Sequence, residues 1–175
     1  MPRDEHLLCR LAVGQVTFIP GDAEQLSFPS GQDLIVSCSA LQWFVSPELF
    51  FKRCNALLSG HGYFAFSTFG KENLKEIAAV TGSGLHYYSL EELKKSLSMH
   101  YNIVTAGEER IRLTFATPLD VLYHLKHTGV TAVCRQAWTK GDLQEFCDKY
   151  AKLFSCGNAV TLTYHPLYII ARKKP

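Results

Sequence analysis

Two short polar clusters stand where an open α/β sheet would hold a ligand. The first is Gly21-Asp22-Ala23-Glu24; the second is Ser37-Cys38-Ser39, which closes the apolar run Asp33-Leu34-Ile35-Val36 and leads into Leu41-Gln42-Trp43-Phe44. Each follows a stretch that reads as a strand, and ligands of such sheets sit outside the carboxyl ends of strands. Asp22 is a good acceptor for an amino donor at such an end and an equally natural turn former after Gly21. The residue types leave both readings open. The residues before Gly21 are too few for the strand–turn–helix unit that normally opens a nucleotide-binding sheet. Gly82-Ser83-Gly84 follows a helical pattern rather than a strand and reads as a connector. His61, between Gly60 and Gly62, reads as a turn residue, and His6, His86, His100 and His165 show no metal-ligand spacing, so no metal is expected.

The elements that would position these clusters follow from periodicity and caps. Residues 5–12 read as the end of a helix and Gln15–Pro20 as a strand. Asp33–Cys38 reads as a strand buried on both faces. Ser46 is a candidate N-cap with Pro47 at the first helical position, Phe50, Cys54, Leu57 and Leu58 form an apolar stripe, and Gly60 lies past the end. Tyr63–Thr68 is the next strand, which implies parallel pairing through a crossover. Helical patterns then run over Glu72–Val80 and from the capping box Ser89-Leu90-Glu91-Glu92. Tyr101–Phe115 reads as extended, Thr117-Pro118 and Thr139 open further helices, and Leu162–Ala171 reads as a final strand. Two late strands separated by a mostly helical insertion, 117–157, suggest an antiparallel edge pair with a helical lid, all within a single domain, 1–175.

The formal charge of +2 gives no argument for nucleic acid. No apolar run is long enough to span a bilayer, and the start is not a signal peptide. The six cysteines form no C-x-x-C pair; they read as reduced core thiols of a cytoplasmic protein.

Taken in order, Asp22-Ala23-Glu24, Asp33–Ser37 and Ala40-Leu41-Gln42-Trp43 resemble the middle of a class I S-adenosylmethionine-dependent methyltransferase. Phe64–Gly70, His124–Thr131, Leu162–His165 and Ile170-Ala171-Arg172 narrow the resemblance to the malonyl-acyl-carrier-protein O-methyltransferases of biotin synthesis. The resemblance implies a Rossmann-like α/β sheet ordered 3-2-1-4-5-7-6, with the last strand antiparallel and a helical lid between the last two. It implies that the chain begins at the third strand and lacks the Gly-rich motif. Asp22 would then meet the adenine amino group and Ala23, by its backbone, the adenine edge. Ser37, Cys38 and Ser39 would lie beside the methionine part of S-adenosylmethionine, with Cys38 standing where the family commonly carries Asn. Trp43 would pack at the cofactor or substrate mouth, or cap the following helix as a core aromatic.

A carboxylate is a nucleophile at neutral pH, so its methylation needs no strong base. The protein must align oxygen, methyl carbon and sulfur, exclude water, and hold the malonyl carboxylate with a cation or amide donor. His124, Lys126, His127, Arg135 and Tyr164 are the candidates for that contact. The acyl-carrier protein is the expected substrate-bearing partner. Without the family's first two strands, Leu34-Ile35-Val36 would form an open edge inviting another chain or self-association, and activity would need the front end supplied elsewhere. The alternative is a non-catalytic, degenerate methyltransferase half that acts as a protein-binding module.

Overall fold

The computed structural model describes residues 17–130 and 138–175. The expected helix over residues 5–12 lies outside them. Its main sheet has four strands: β1 (Gln32–Cys38), β2 (Leu58–Phe69), β3 (Tyr101–Glu108) and, last in the chain, β7 (Pro166–Lys173), in the order β1-β2-β7-β3. β1 and β2 pair in parallel, and β7 runs antiparallel to both of its neighbours. This is the 4-5-7-6 portion of the expected sheet order.

The helix α1 (Pro47–Leu57) connects β1 to β2. It does not stop at Gly60. Leu58 is already extended as its C-cap, and the chain passes directly into β2, which carries Gly60 as a strand residue. Gly62 is the glycine this junction needs, because a Cβ there would lie 2.8 Å from the Gln32 carbonyl oxygen. Helices α2 (Lys75–Thr81) and α3 (Leu90–Leu97) follow β2. Strict alternation buries Phe64 and Phe66 of β2 and Leu167, Ile169 and Ala171 of β7 against Phe50, Phe51 and Cys54 of α1 and Leu93 and Leu97 of α3. The opposite face is open. Leu34 and Val36 of β1 remain 56% and 57% exposed, with Tyr63, Tyr168 and Ile170 beside them. The expectation that β1 is buried on both faces is therefore corrected. Among the described residues, helices cover only one face of this sheet.

Between β3 and β7 the chain builds β4 (Ile111–Phe115), α4 (Pro118–His127), α5 (Lys140–Phe154), β5 (Ser155–Cys156) and β6 (Ala159–Tyr164). β4, β6 and β5 form a second sheet in that order, all antiparallel. The long extended stretch Tyr101–Phe115 is thus two strands in two sheets, and so is Leu162–Ala171, which breaks at His165. A second core gathers Val121, Leu125, Phe146, Tyr150 and Leu162 of this insertion against Leu74 and Ile77. Glu76 of α2, only 2% exposed, accepts from the Thr163 N–H (3.0 Å) and hydroxyl (2.5 Å), which satisfies a buried carboxylate and joins the two layers. Residues 17–20 are not a strand. A strand needs a hydrogen-bonded neighbour, and among the described residues β1 pairs only with β2.

Candidate functional site

The turn after β1 is fixed by backbone and side chain together. Ser39 adopts a left-handed conformation (φ 49°), and its N–H donates to the Ser67 carbonyl at 3.0 Å. Left-handed backbone is uncommon outside glycine. Gln42 donates from Nε2 to the Ser39 carbonyl (2.5 Å) and accepts from the Thr68 hydroxyl (3.1 Å), which anchors the 3-10 turn Leu41–Trp43 on the end of β2. Trp43 emerges half-exposed from this turn rather than packing as a core aromatic.

Asp22 sits in a turn, not at the carboxyl tip of a strand. Its Oδ1 accepts the Glu24 N–H at 2.9 Å, and its carbonyl accepts from Gln25 and Leu26. Glu24, named in the sequence only as part of that cluster and given no role there, accepts the Val45 and Ser46 N–H groups at 2.8 Å each. Ser46 makes no side-chain cap. The carboxylate of Glu24 therefore holds the entry to α1 from outside, by the backbone N–H groups of the N-cap and of the residue before it, and it ties the Asp22 turn beside the end of β1. A cleft of about 450 Å³ opens there. Ala23, Ser37, Cys38 and Ala40 line its end at the carboxyl tip of β1, and the rest runs along the open β1 edge past Leu34, Phe28 and Arg53. Three of the five expected cofactor residues thus share one cleft. Asp22 and Ser39 adjoin its lining residues without lining it themselves.

A second cleft, of about 760 Å³, lies beyond the carboxyl ends of β1 and β2. Trp43 lines it with Lys71, Asn73, Lys75 and Tyr87, and Val130 closes it from the insertion. Lys71 and Lys75 are exposed and paired with Glu92 (2.7 Å) and Glu72 (2.9 Å). Tyr87 is half-buried, and its hydroxyl accepts from Asn73 Nδ2 at 3.1 Å. Burial pushes that phenol up, the Asn73 donor opposes this, and Tyr164 adds to the rise. Of the expected substrate residues, His124 and Tyr164 are brought together, imidazole Nε2 to hydroxyl at 3.0 Å, across α4 and β6. Burial raises the Tyr164 phenol as well. Lys126 and His127 are exposed on α4, and Arg135 lies outside the described residues. Asn73 and Tyr87 carried no sequence signal. They meet only because the Gly70–Asn73 turn folds back onto His165, fourteen residues separating the pair themselves. Among the described residues no three His, Cys, Asp or Glu side chains gather as a metal site, and no helix is long and apolar enough to cross a membrane.

Comparison with known proteins agrees with this architecture. Residues 4–66 match the family described as "Methyltransferase domain". A Bacteroides thetaiotaomicron protein named malonyl-[acyl-carrier protein] O-methyltransferase is 56% identical, over 91% of this chain and 65% of its own length. Relatives of the same name from Bacteroides fragilis and Porphyromonas gingivalis are 54% and 46% identical, over 98% and 93% of this chain. The chain spans 38% of the B. fragilis relative and 65% of the P. gingivalis one. Among solved structures, a Bacillus halodurans C-125 protein assigned to the methyltransferases superposes with a TM-score of 0.66 at 16% identity, covering 97% of this chain and 77% of that one. The [4+2]-cyclase SpnF superposes with a TM-score of 0.55 at 17% identity, over 97% of this chain and 60% of its own. The cyclase is a reminder that a shared fold does not fix the reaction. Sequence and sheet order point the same way: the chain has a methyltransferase-like fold, matches the methyltransferase-domain family over residues 4–66, and is similar along most of its length to malonyl-[acyl-carrier protein] O-methyltransferases.

Proposed function

We propose that this chain serves in an S-adenosylmethionine-dependent O-methyltransferase that esterifies the free carboxylate of a malonyl group carried on acyl-carrier protein, in biotin synthesis, in the cytoplasm. The observation that carries this reading is the 56% identity to a relative of that name across 91% of the chain. The cleft at the carboxyl end of β1 supports it. At about 450 Å³ it falls within the usual range for small-molecule sites. Its lining suits a ligand with an apolar ring and a small polar end: Phe28 and Leu34 offer apolar surface, and Ser37 offers a hydroxyl. Ala23, Ser37 and Cys38 would hold S-adenosylmethionine, with Asp22 and Ser39 beside them. The Asp22 carboxylate spends Oδ1 on its own turn, which leaves Oδ2 for an adenine amino group.

Bound there, the sulfonium supplies the methyl group. The chain's own residues then have three tasks. The Ala40–Phe44 segment separates the two clefts and sets how a substrate entering past Trp43 approaches the β1 end. The insertion, acting as a lid over residues 117–157, keeps water out. Donors on the insertion, His124 and Tyr164 with Lys126 and Arg135, hold the carboxylate or dock the acidic acyl-carrier protein. No proton moves in the reaction, so no general base is required. The open β1 edge at Leu34-Ile35-Val36 takes a partner strand or a second copy.

Incubation with methyl-labelled S-adenosylmethionine and malonyl-[acyl-carrier protein] tests the reading. It is run on the chain alone and with the part of the B. thetaiotaomicron relative that this chain does not span. Label in a base-labile ester is expected in at least the second case. No label in either overturns it.

A further inference from the structure

From the geometry of the second cleft we infer that Tyr87, oriented by Asn73, is the hydrogen-bond donor that recognises the free carboxylate of the substrate and discriminates it from a neutral acyl end. The inference rests on the carboxylate-methylation reading above.

At His165 the chain leaves β6 for β7. The His165 N–H donates to Asn73 Oδ1 at 3.2 Å, and the Gly70 N–H donates to the His165 carbonyl at 2.7 Å. Asn73 is 5% exposed, so its amide cannot turn over without leaving both ends unsatisfied. With Oδ1 committed to a donor, Nδ2 must point the other way, and it donates to the Tyr87 hydroxyl at 3.1 Å. That bond uses the phenol oxygen as acceptor. The phenol proton is left over: among the described residues the Tyr87 hydroxyl donates no hydrogen bond. A hydroxyl that receives a hydrogen bond is a better donor in turn, and this one lines the cleft that Trp43, Lys71 and Lys75 also line. Burial keeps Tyr87 protonated well above neutral pH, so it remains a donor and never a competing anion.

A carboxylate has one oxygen that reacts and one that does not. A single phenolic donor can hold the second while leaving the first free. In the transfer, the carboxylate oxygen forms a bond to the methyl carbon as the carbon–sulfur bond breaks and its electron pair returns to sulfur. The product is a neutral ester and a thioether, and no proton is exchanged. The ester is a weaker acceptor than the acid, so the same contact that selects the substrate lets go of the product.

The test is calorimetric binding of malonyl-pantetheine, its methyl ester and acetyl-pantetheine to the wild-type chain and to Tyr87→Phe. The inference expects malonyl-pantetheine to bind the wild type more tightly than the ester does. It expects Tyr87→Phe to lose about tenfold in malonyl affinity, as for a hydrogen bond to a charged group, while acetyl-pantetheine binding stays within twofold. Equal malonyl binding by both proteins overturns the role of Tyr87 and leaves the methylation reading standing. A wild type that does not distinguish acid from ester overturns both.

Discussion

His165, where the insertion returns to the main sheet, is bonded through both ring nitrogens. Its Nδ1 accepts the Glu72 N–H at 3.1 Å, so its proton sits on Nε2, which faces Glu108 Oε2 at 3.2 Å. Around it, Arg110 bonds both Glu72 and Glu108. Arg110, with Lys75 after it, draws the Glu72 carboxyl down from 4.5 to about 2. Burial alone would push Glu108 up, but the bonds from His165 and Arg110 more than offset it and leave it low. Carboxyls depressed in the folded state stabilise it above their unfolded range, and that contribution is lost as pH falls through 4.5 toward 2. Melting temperature should therefore fall between pH 5 and 3, as read by circular dichroism, and fall less steeply in Arg110→Gln; parallel profiles for the two proteins would contradict the assignment. His165 was named in the sequence as a histidine without metal spacing, and its actual partners could not be read there. Glu72 and Glu108 lie 93 and 57 residues from it.

Helix starts divide into those built locally and those built at a distance. α3, α4 and α5 open with complete capping boxes, Ser89 with Glu92, Thr117 with Asp120 and Thr139 with Asp142. Each box is three residues apart, so each was legible in the sequence. α1 looks the same on paper, with Ser46 before Pro47, yet its entry is held by Glu24 across a separation of 21 and 22 residues. Nothing local announces that bond. Ser46→Ala should then cost under about 0.5 kcal/mol in urea unfolding, and Glu24→Ala about 1–2 kcal/mol, since one part-buried and one exposed N–H group lose a charged acceptor. The reverse ranking would show that Ser46 caps the helix after all. The same distinction explains the strands. Apolar runs marked β1, β2 and the β7 stretch as extended, but they did not reveal that Tyr101–Phe115 and Leu162–Ala171 each divide between two sheets. The breaks fall at Glu109-Arg110 and His165, where long-range pairing and not composition decides.

At the scale of the molecule, two cores meet through the Glu76–Thr163 and Asn73–His165 bonds, and the main sheet presents one covered face and one open one. The order β1-β2-β7-β3 was legible because the family resemblance was, whereas the strand expected over Gln15–Pro20 was not realised over residues 17–20 because a strand exists only with a neighbour. The exposed β1 edge carries its own prediction. Val36→Lys places a charge on the bare edge, so sedimentation velocity should show concentration-dependent association of the wild-type chain and markedly less in the variant; a wild type monomeric at all concentrations would remove self-association through this edge. The central claim is that the methyl donor lies where the Asp22 turn meets the carboxyl end of β1. Photolabelling with radiolabelled S-adenosylmethionine, followed by peptide mapping, reads this directly. The label is expected on peptides containing Asp22-Ala23 or Ser37-Cys38-Ser39, competed away by S-adenosylhomocysteine; label confined to other peptides, or unaffected by the competitor, would contradict it.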